Sequence, residues 1–328
     1  MRPTRSTSQL SEVRLPRTLW AKPHGGTTPR PHRRPGGAVL VVAALVLGAC
    51  TTASSGDPNR ASGAAGTAAT APRGASTTVE PERDVVVAGH HVKARCAGSG
   101  PSVILVTDYA RSMDDVWQEI QSRLAAQGRV CAYDRLGVGR SDAAPDRQTF
   151  TSMAGDLEGV ISALGLTRPV VVMGHALGGP IALSWASKHQ ADARALVLFD
   201  PMPPGYLGPK GSLVKALPPP DPGDPELSNV WRDVERFNDQ RTNKESLDPE
   251  SWTAYERLPA MSVPLYILLE AWPQQWPAAV DAKKVDATWR GLQRGLLALS
   301  TPSEQVSVPT QDAWPTVIEN TLRRALMS

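Results

Sequence analysis

Residues 169–183 read PVVVMGHALGGPIAL, and this stretch decides the fold. The apolar run that begins at Val170 is rich in β-branched residues, which is typical of a strand buried on both faces of a parallel sheet. Gly174, Gly178 and Gly179 follow, and they lead into a helical pattern. Small residues at such a junction allow a sharp turn and a close approach of the helix to the strand. The stretch therefore predicts a strand, a tight turn and a helix packed against the strand.

Similar apolar runs recur on both sides of this stretch and alternate with amphipathic segments, which predicts a parallel sheet flanked by helices. VVVAGHHVKARC, from residue 85, predicts a hairpin. Further strands are predicted at SVILVT, RVCAYD, ARALVLFD and VPLYILLE. One helix should begin at Met113, because Ser112 and Asp115 have the spacing of a capping box. Other helices are predicted at about 151–164, 179–190, 280–299 and 315–327. The right-handed crossover rule arranges these strands as one doubly wound sheet.

The alternation stops between Pro201 and Ser262, in a stretch rich in proline. Helical patterns remain at about 226–240 and 250–258. We expect residues 201–262 to form a small helical cap over the carboxyl ends of the strands. Open α/β sheets bind ligands on that side.

The stretch 169–183 resembles the nucleophile elbow, G-x-S-x-G, of the α/β-hydrolases. YDRLGVGRSD at 133–142, LVLFDP at 196–201 and DAWPTVIENTLRRAL near the end are similar to the same superfamily. CAGSG, VCAYDR, NKESLD and LQRGLLALS resemble an exported bacterial branch with an internal disulfide. The resemblance covers essentially all of residues 84–328. It implies an α/β-hydrolase fold, with a doubly wound, mostly parallel sheet and a small helical cap.

The resemblance places Ala176 at the apex of the elbow, where the family has its serine nucleophile. A methyl group cannot attack a carbonyl carbon. The family's histidine base follows the final strand, but the last histidine here is His189, and the loop reads PTQDAW with Asp312 at the base position. A carboxylate with a pKa near its usual value of about 4 is a poor base for this chemistry. The alternative for Asp312 is a cap on the helix that opens near Pro315.

A third departure follows SVILVT, where the family has a glycine whose successor donates an N–H to the oxyanion. This chain has Asp108 and Tyr109 there. A carboxylate opposes a developing negative charge, although the N–H of Tyr109 could still donate. His175, in the elbow itself, is expected to be structural. We expect one pocket under the cap, lined by Asp108, Tyr109, His175, Ala176, Leu177 and Asp312.

Nucleophile, base and oxyanion site are all changed, so the expected function is that of a non-catalytic pseudoenzyme that binds a small-molecule or protein ligand. Gibberellin receptors and the NDR family keep this fold for binding, which is an analogy. The alternative is an active hydrolase of an ester, amide or related bond with relocated catalytic residues. Asp200 and Glu270 follow strands where the family's acid can reside, but without an imidazole each is expected to be a turn or loop residue. The pattern indicates no cofactor and no metal site.

Two carboxylates in the predicted pocket favour a neutral or cationic ligand over an anion. Four tryptophans could supply an apolar wall on the cap side, or could simply fill the core: Trp231, Trp252, Trp272 and Trp276.

Residues 1–49 are predicted to be a lipoprotein signal peptide. They combine eight Lys and Arg residues against one Glu with an apolar run of about a dozen residues, too short to span a bilayer, which needs about 20. The run ends in LGAC, which resembles the bacterial lipobox, so Cys50 is expected to carry the lipid. The predicted location is the extracytoplasmic face of the cell-envelope membrane. Alternatives are an uncleaved anchor helix or a misassigned start codon, and Arg33-Arg34 hints at twin-arginine export.

Residues 50–83 are rich in Ala, Ser, Thr and Gly and have no apolar period, so we expect a disordered tether before the domain at 84–328. The signal segment holds a local charge of +7, whereas the whole chain has +3, so the remainder is acidic and nucleic-acid binding is not indicated. Cys96 and Cys131 are two cysteines in an oxidising compartment and are expected to be bonded. Two free buried thiols are the alternative.

Overall fold

The strand predicted from Val170 lies in the middle of the sheet. A computed structural model describes residues 79–145, 147–208, 211–238, 245–271 and 276–328. The predicted signal peptide, the lipidation site Cys50 and the predicted tether up to residue 78 lie outside the described residues.

One sheet of eight strands forms among the described residues, in the order β1-β2-β4-β3-β5-β6-β7-β8. The hairpin β1–β2 and the pair β2–β4 are antiparallel, and the other neighbours are parallel. The doubly wound, mostly parallel sheet is therefore confirmed. The strands are β1 Arg83–Val87, β2 His90–Ala97, β3 Ser102–Val106, β4 Arg129–Tyr133, β5 Val170–His175, β6 Ala193–Phe199, β7 Leu265–Glu270 and β8 Ser303–Val308.

The helices lie between these strands and cover both faces of the sheet. They are α1 Met113–Leu124, α2 Phe150–Ala163, α3 Gly178–Ala186, α4 Ser212–Ala216, α5 Pro225–Asn238, α6 Ser251–Tyr255, α7 Ala282–Leu296 and α8 Trp314–Met327. Short 3₁₀ turns occur at Gln190–Asp192, Leu297–Leu299 and Gln311–Ala313. The capping box predicted for α1 is present, since the Ser112 hydroxyl and the Asp115 carboxylate each accept a backbone N–H from the other residue.

Alternate residues along each strand enter different cores, as the pleat of a strand requires. Val103 and Leu105 of β3 pack with α1 and α8 on one face. Ile104 and Val106 pack with α2, α3 and α7 on the other face. Central strands such as β3 are thus buried on both sides, which explains why they read as unbroken apolar runs.

The folded part begins a few residues before Asp84, which corrects the predicted end of the tether at residue 83. Val79 pairs with Ala97, and β1 already starts at Arg83. Residues 79–83 lack an apolar period because ion pairs attach them to the sheet. One of these pairs joins Glu80 to Arg129 of β4 at 2.7 Å. Charged anchors of this kind do not show in a hydrophobic pattern.

Cys96 and Cys131 form a disulfide, which confirms the predicted bond and excludes the free-thiol alternative. The two cysteines lie directly opposite each other on β2 and β4. A loop of 35 residues closed in this way removes unfolded-chain entropy worth about 3–4 kcal/mol at 25 °C. The bond holds the β1–β2 hairpin on the rest of the sheet.

The cap contains the two predicted helices, α5 and α6, and one that was not predicted, α4. α4 has only five residues and is flanked by glycine and proline, so its pattern is too short to recognise. Trp252 is 2 % exposed and packs edge-on against Phe150, with ring centroids 4.9 Å apart. Trp231 donates its indole N–H to the carbonyl of Pro218. Trp252 thus fills the core, Trp231 and Trp276 pack partly buried against it, and Trp272 lies outside the described residues.

None of the helices in the described ranges is both long and apolar enough to cross a membrane. Within the same ranges, no group of three or more His, Cys, Asp or Glu side chains is placed to hold a metal ion.

Candidate functional site

The elbow between β5 and α3 keeps the strained backbone of a nucleophile turn. Ala176 has a φ of +44°, a left-handed conformation that non-glycine residues rarely adopt. Its amide donates to the carbonyl of Phe199 on β6, and its carbonyl accepts from Gly179 and Met202. Neighbouring strands and the helix thus hold the turn from several sides, although its apex carries only a methyl group.

Three glycines of the elbow have no space for a side chain. A Cβ on Gly174 would lie 2.5 Å from the carbonyl oxygen of Gly178, and one on Gly178 would lie 2.5 Å from that of Val106. A Cβ on Gly179 would lie 2.4 Å from the Cβ of Pro201. The close approach predicted from the sequence is therefore present, and packing alone demands these glycines.

The carboxylate of Asp108 takes the place that an oxyanion would need. In α/β-hydrolases the oxyanion donors are the N–H after the elbow apex and an N–H from the loop after β3. Here these are the amides of Leu177 and Tyr109. The Tyr109 N–H donates to Asp108 Oδ1 at 2.6 Å, and the nearby Leu177 N–H lowers the pKa of the same carboxyl group. Both backbone amides thus face a side chain of the protein itself.

Asp108 is 1 % exposed, and burial raises the pKa of its carboxyl group from 3.8 to about 6. The Tyr109 N–H, the charges of Arg135 and Arg111, and the Leu177 N–H act against this rise. Near neutral pH the group is mostly charged. A substrate oxyanion would meet both an occupied site and a like charge.

A buried ion pair between Arg135 and Glu245 holds the loop that carries Asp108. The side chains are 4 % and 0 % exposed and form two parallel contacts, at 2.7 Å and 2.8 Å. Arg135 also donates to the carbonyls of Thr107 and Asp108. Glu245 accepts the N–H of Ala110 at 2.7 Å. Because Glu245 belongs to the cap insertion, this pair joins the cap to the loop after β3.

Neither partner of this pair was predicted as a site residue. Arg135 lies in YDRLGVGRSD and Glu245 in NKESLD, so both were inside segments that resemble the family. The sequence by itself shows Glu245 only as one acidic residue among the polar residues of the cap. Pairing across 110 positions has no local pattern.

Aromatic side chains of the cap close over the elbow. The ring of Tyr109 packs against Phe237 of α5 with centroids 4.4 Å apart, and Phe237 lies 6.0 Å from Trp252 of α6. Ala176 and Leu177 are 1 % and 0 % exposed and belong to the hydrophobic core. The apex of the elbow is thus covered by side chains.

The structure brings together Asp108, Tyr109, Ala176 and Leu177, with His175 half-buried at the end of β5. Asp312 is exposed in the turn Gln311–Ala313 and is not placed with this buried group. The alternative in which Asp312 caps α8 is wrong, because the helix has Ala313 as its N-cap and no side-chain capping bond.

The two predicted acid positions lie side by side at the ends of β6 and β7. Asp200 has a φ of +38° and accepts the backbone N–H of Glu270 at 3.4 Å. This bond supports the expectation that Asp200 acts as a turn residue. No described histidine follows β7, so an imidazole for these acids to orient is lacking in the described C-terminal part.

Comparisons with known proteins agree with the fold. Residues 101–246 match the family model described as alpha/beta hydrolase fold. A cis-3-alkyl-4-alkyloxetan-2-one decarboxylase of Xanthomonas campestris is 32% identical over 120 residues, which are 32% of this chain and 40% of that protein. The uncharacterized protein YqjL of Bacillus subtilis is 26% identical over 111 residues, 34% of this chain and 44% of that protein. The chain thus spans less than half the length of these curated relatives.

Solved structures show the same architecture. The haloalkane dehalogenase DatA of Agrobacterium tumefaciens superimposes with a TM-score of 0.51 at 19% identity, covering 76% of this chain and 96% of that one. An esterase of Thermogutta terrifontis gives a TM-score of 0.51 at 18% identity, covering 75% and 99%. At such identities the likeness concerns the fold alone. The matched segment and the sheet thus show an α/β-hydrolase fold.

Proposed function

We propose that this chain is a non-catalytic α/β-hydrolase-fold protein that binds a ligand or a partner. The observation that carries this proposal is the place of Asp108, whose carboxylate accepts the N–H of Tyr109 and lies near the N–H of Leu177. The apex residue Ala176 has no nucleophilic atom, and Asp312 is exposed. Nucleophile, base and oxyanion site are thus each compromised for a separate physical reason.

The expected loss of rate is large. In a serine hydrolase, removal of the nucleophile or the base alone lowers turnover about a million-fold, and the remaining rate comes from the oxyanion hole and from substrate binding. Here the hole is occupied by Asp108 and the apex of the elbow is covered by side chains. Neither source of residual catalysis is left at the elbow.

We further propose that the protein works at the extracytoplasmic face of the cell-envelope membrane, attached through a lipid on Cys50. The segment from 51 to 78 would act as the tether. A flexible chain of that length has an end-to-end distance of about 30 Å, which would hold the domain clear of the lipid headgroups. A ligand or partner protein would be bound from that position.

A fluorophosphonate probe and p-nitrophenyl esters of several lengths test the proposed lack of catalysis on the purified chain, beside an active esterase. We expect no covalent adduct and no turnover above buffer. Turnover that Asp108→Ala or Asp312→Ala abolishes would instead establish an enzyme with relocated residues. The pair Ala176→Ser and Asp312→His should also stay inactive, because Asp108 still occupies the oxyanion position.

The anchor is tested by expressing the chain and Cys50→Ala in a bacterial host with radiolabelled palmitate. The unchanged chain should carry label and partition into a detergent phase, whereas the variant should carry none. Equal labelling of the two would remove the lipid anchor from the proposal.

A further inference from the structure

A groove lies on the flank of the domain, away from the elbow, where the start of α2 and the helix α3 meet the cap helix α6. Its volume is about 230 Å³. Because a water molecule takes up about 30 Å³ in the liquid, the groove has room for about eight waters, roughly the size of one monosaccharide. Its polar lining consists of hydroxyl and carboxylate groups, from Thr149, Thr151, Ser184, Asp248, Glu250 and Ser251.

One of these hydroxyls is buried without a partner. Ser251 is 2 % exposed, and its Oγ makes no hydrogen bond to any other described residue. A buried polar atom that lacks a hydrogen-bond partner destabilises the folded state. Ser184, which faces the groove from α3, is also only 4 % exposed. A hydroxylated ligand that settles into the groove would offer the partner that Ser251 lacks.

The charge of the groove is negative. Asp248 already pairs with Arg147 at 2.9 Å, and the Glu250 N–H and Arg147 hold the pKa of this carboxyl below its usual value. The Arg147 side chain is 70 % exposed, so it neutralises Asp248 from the solvent side. Glu250, at the exposed rim, adds a second carboxylate to the lining. The lining therefore has a net charge of about −1 and favours a cation.

The inner wall is aromatic. Phe150 and Tyr255 are buried and meet edge-on, with centroids 5.7 Å apart. The Tyr255 hydroxyl already donates to the carbonyl of Met202. This wall offers apolar contact to the carbon skeleton of a ligand, and the hydrogen bonds must come from the serines and carboxylates.

We propose that this groove binds a hydroxylated organic ammonium ion of about the size of a hexosamine, with its ammonium group at Glu250 and its hydroxyls at Ser251 and Ser184. The site is independent of the elbow. Titration with ligand tests the groove and fluorophosphonate labelling tests the elbow, so failure of one proposal is visible apart from failure of the other.

Three probes separate charge from hydroxylation in ligand-observed NMR titrations of the purified chain: glucosamine, glucose and cyclohexylamine. Glucosamine has both features, glucose lacks the charge, and cyclohexylamine lacks the hydroxyls. We expect glucosamine to bind most tightly. Equal affinity for glucose, equal affinity for cyclohexylamine, or no saturation by glucosamine at about 50 mM, well above the millimolar range of weak ligands, would each overturn the proposal.

Variants locate the binding. Glu250→Gln should weaken glucosamine up to about five-fold, as expected for an exposed charge pair, and leave glucose unchanged. Ala254→Trp places a large ring in the groove from an exposed position of α6 and should abolish binding. Glu226→Gln, an exposed acid on α5 that does not line the groove, should have no effect. If Ala254→Trp bound glucosamine as the unchanged chain does, with an unchanged melting temperature, the groove would not be the binding site.

Discussion

In α/β-hydrolases the elbow and the loop after the last strand hold the nucleophile and the base, and in this chain these two places differ in how strongly the fold constrains them. At the elbow the backbone is preserved in detail, with Ala176 at a φ of +44° and 1 % exposed. In the loop after β8, Asp312 is exposed in a short turn. The elbow has the turn geometry with a methyl group at its apex, whereas the loop after β8 places Asp312 on the exposed surface.

The difference teaches what keeps a motif in place. Gly174, Gly178 and Gly179 would each bring a Cβ within about 2.5 Å of a packed atom, so the fold needs them whether or not a serine follows. Asp312, at the base position, is exposed in a loop, so the packing of the fold does not require any particular residue there. The glycine pattern of an elbow is therefore evidence for a fold, and only the apex residue is evidence for chemistry.

The largest effect should come from breaking the ion pair between Arg135 and Glu245, which holds the loop after β3 beside the elbow. Arg135→Met leaves Glu245 buried without a counter-charge and should lower the free energy of unfolding by about 3–5 kcal/mol, measured by urea denaturation. Arg147→Met breaks a pair whose arginine is 70 % exposed and should cost much less, because water screens an exposed pair. Equal losses would contradict the assigned role of the buried pair.

The charge on Asp108 should make stability depend on pH. Because the pKa is 3.8 before burial and about 6 in the fold, the folded state holds more protons in this interval, and its stability falls as pH rises through it. Asp108→Asn does not titrate. The stability of the unchanged chain relative to this variant should therefore fall by up to about 3 kcal/mol between about pH 4 and pH 6, at about 1.4 kcal/mol per pKa unit.

A flat pH dependence of the stability difference between the unchanged chain and Asp108→Asn would mean that the Asp108 carboxylate is not held in a buried site.

A smaller effect is expected at the elbow's tight contact. Gly178→Ala brings a Cβ to 2.5 Å from the carbonyl oxygen of Val106 and should cost about 1–3 kcal/mol. Gly155→Ala is the matched change in the exposed face of α2, where nothing lies within 4 Å of the added Cβ, and should stabilise by up to about 1 kcal/mol. Urea denaturation measures both, and the same sign for the two would refute the packing argument.

The smallest effect is expected in the loop after β8. Asp312→Ala should change the free energy of unfolding by no more than about 0.5 kcal/mol, because its side chain is exposed and caps no helix. A loss of more than about 1 kcal/mol would show that this loop is as constrained as the elbow, and the comparison would fail.

The sequence predicted the sheet well, for a physical reason. Strands such as β3 and β5 are buried on both faces, so each one is a continuous apolar run that no other element imitates. The turn at Ala176 was equally predictable, because its three glycines lie close together in the sequence. Segment 79–83 and the helix α4 were missed, since ion pairs and a single short turn leave no periodic pattern.

The site was harder to predict than the sheet. The sequence showed an acid at Asp108 beside the oxyanion position, and this observation led to the expectation of poor catalysis. It could not show that the carboxylate turns onto the amides of Tyr109 and Leu177, because Asp108 and Leu177 are far apart in the chain. The same holds for Arg135 and Glu245, which meet only after the cap has folded.

The bond between Cys96 and Cys131 has a mechanical consequence for the proposed lipoprotein. A pull from the membrane would enter the domain at Val79 and load the edge hairpin first. Separation of β2 from β4 would stop at Cys96, because the disulfide transmits the force covalently to a strand in the interior of the sheet. Only β1 and the residues of β2 before Cys96 could detach under tension, so the domain should withstand drag on its tether with the rest of its sheet intact.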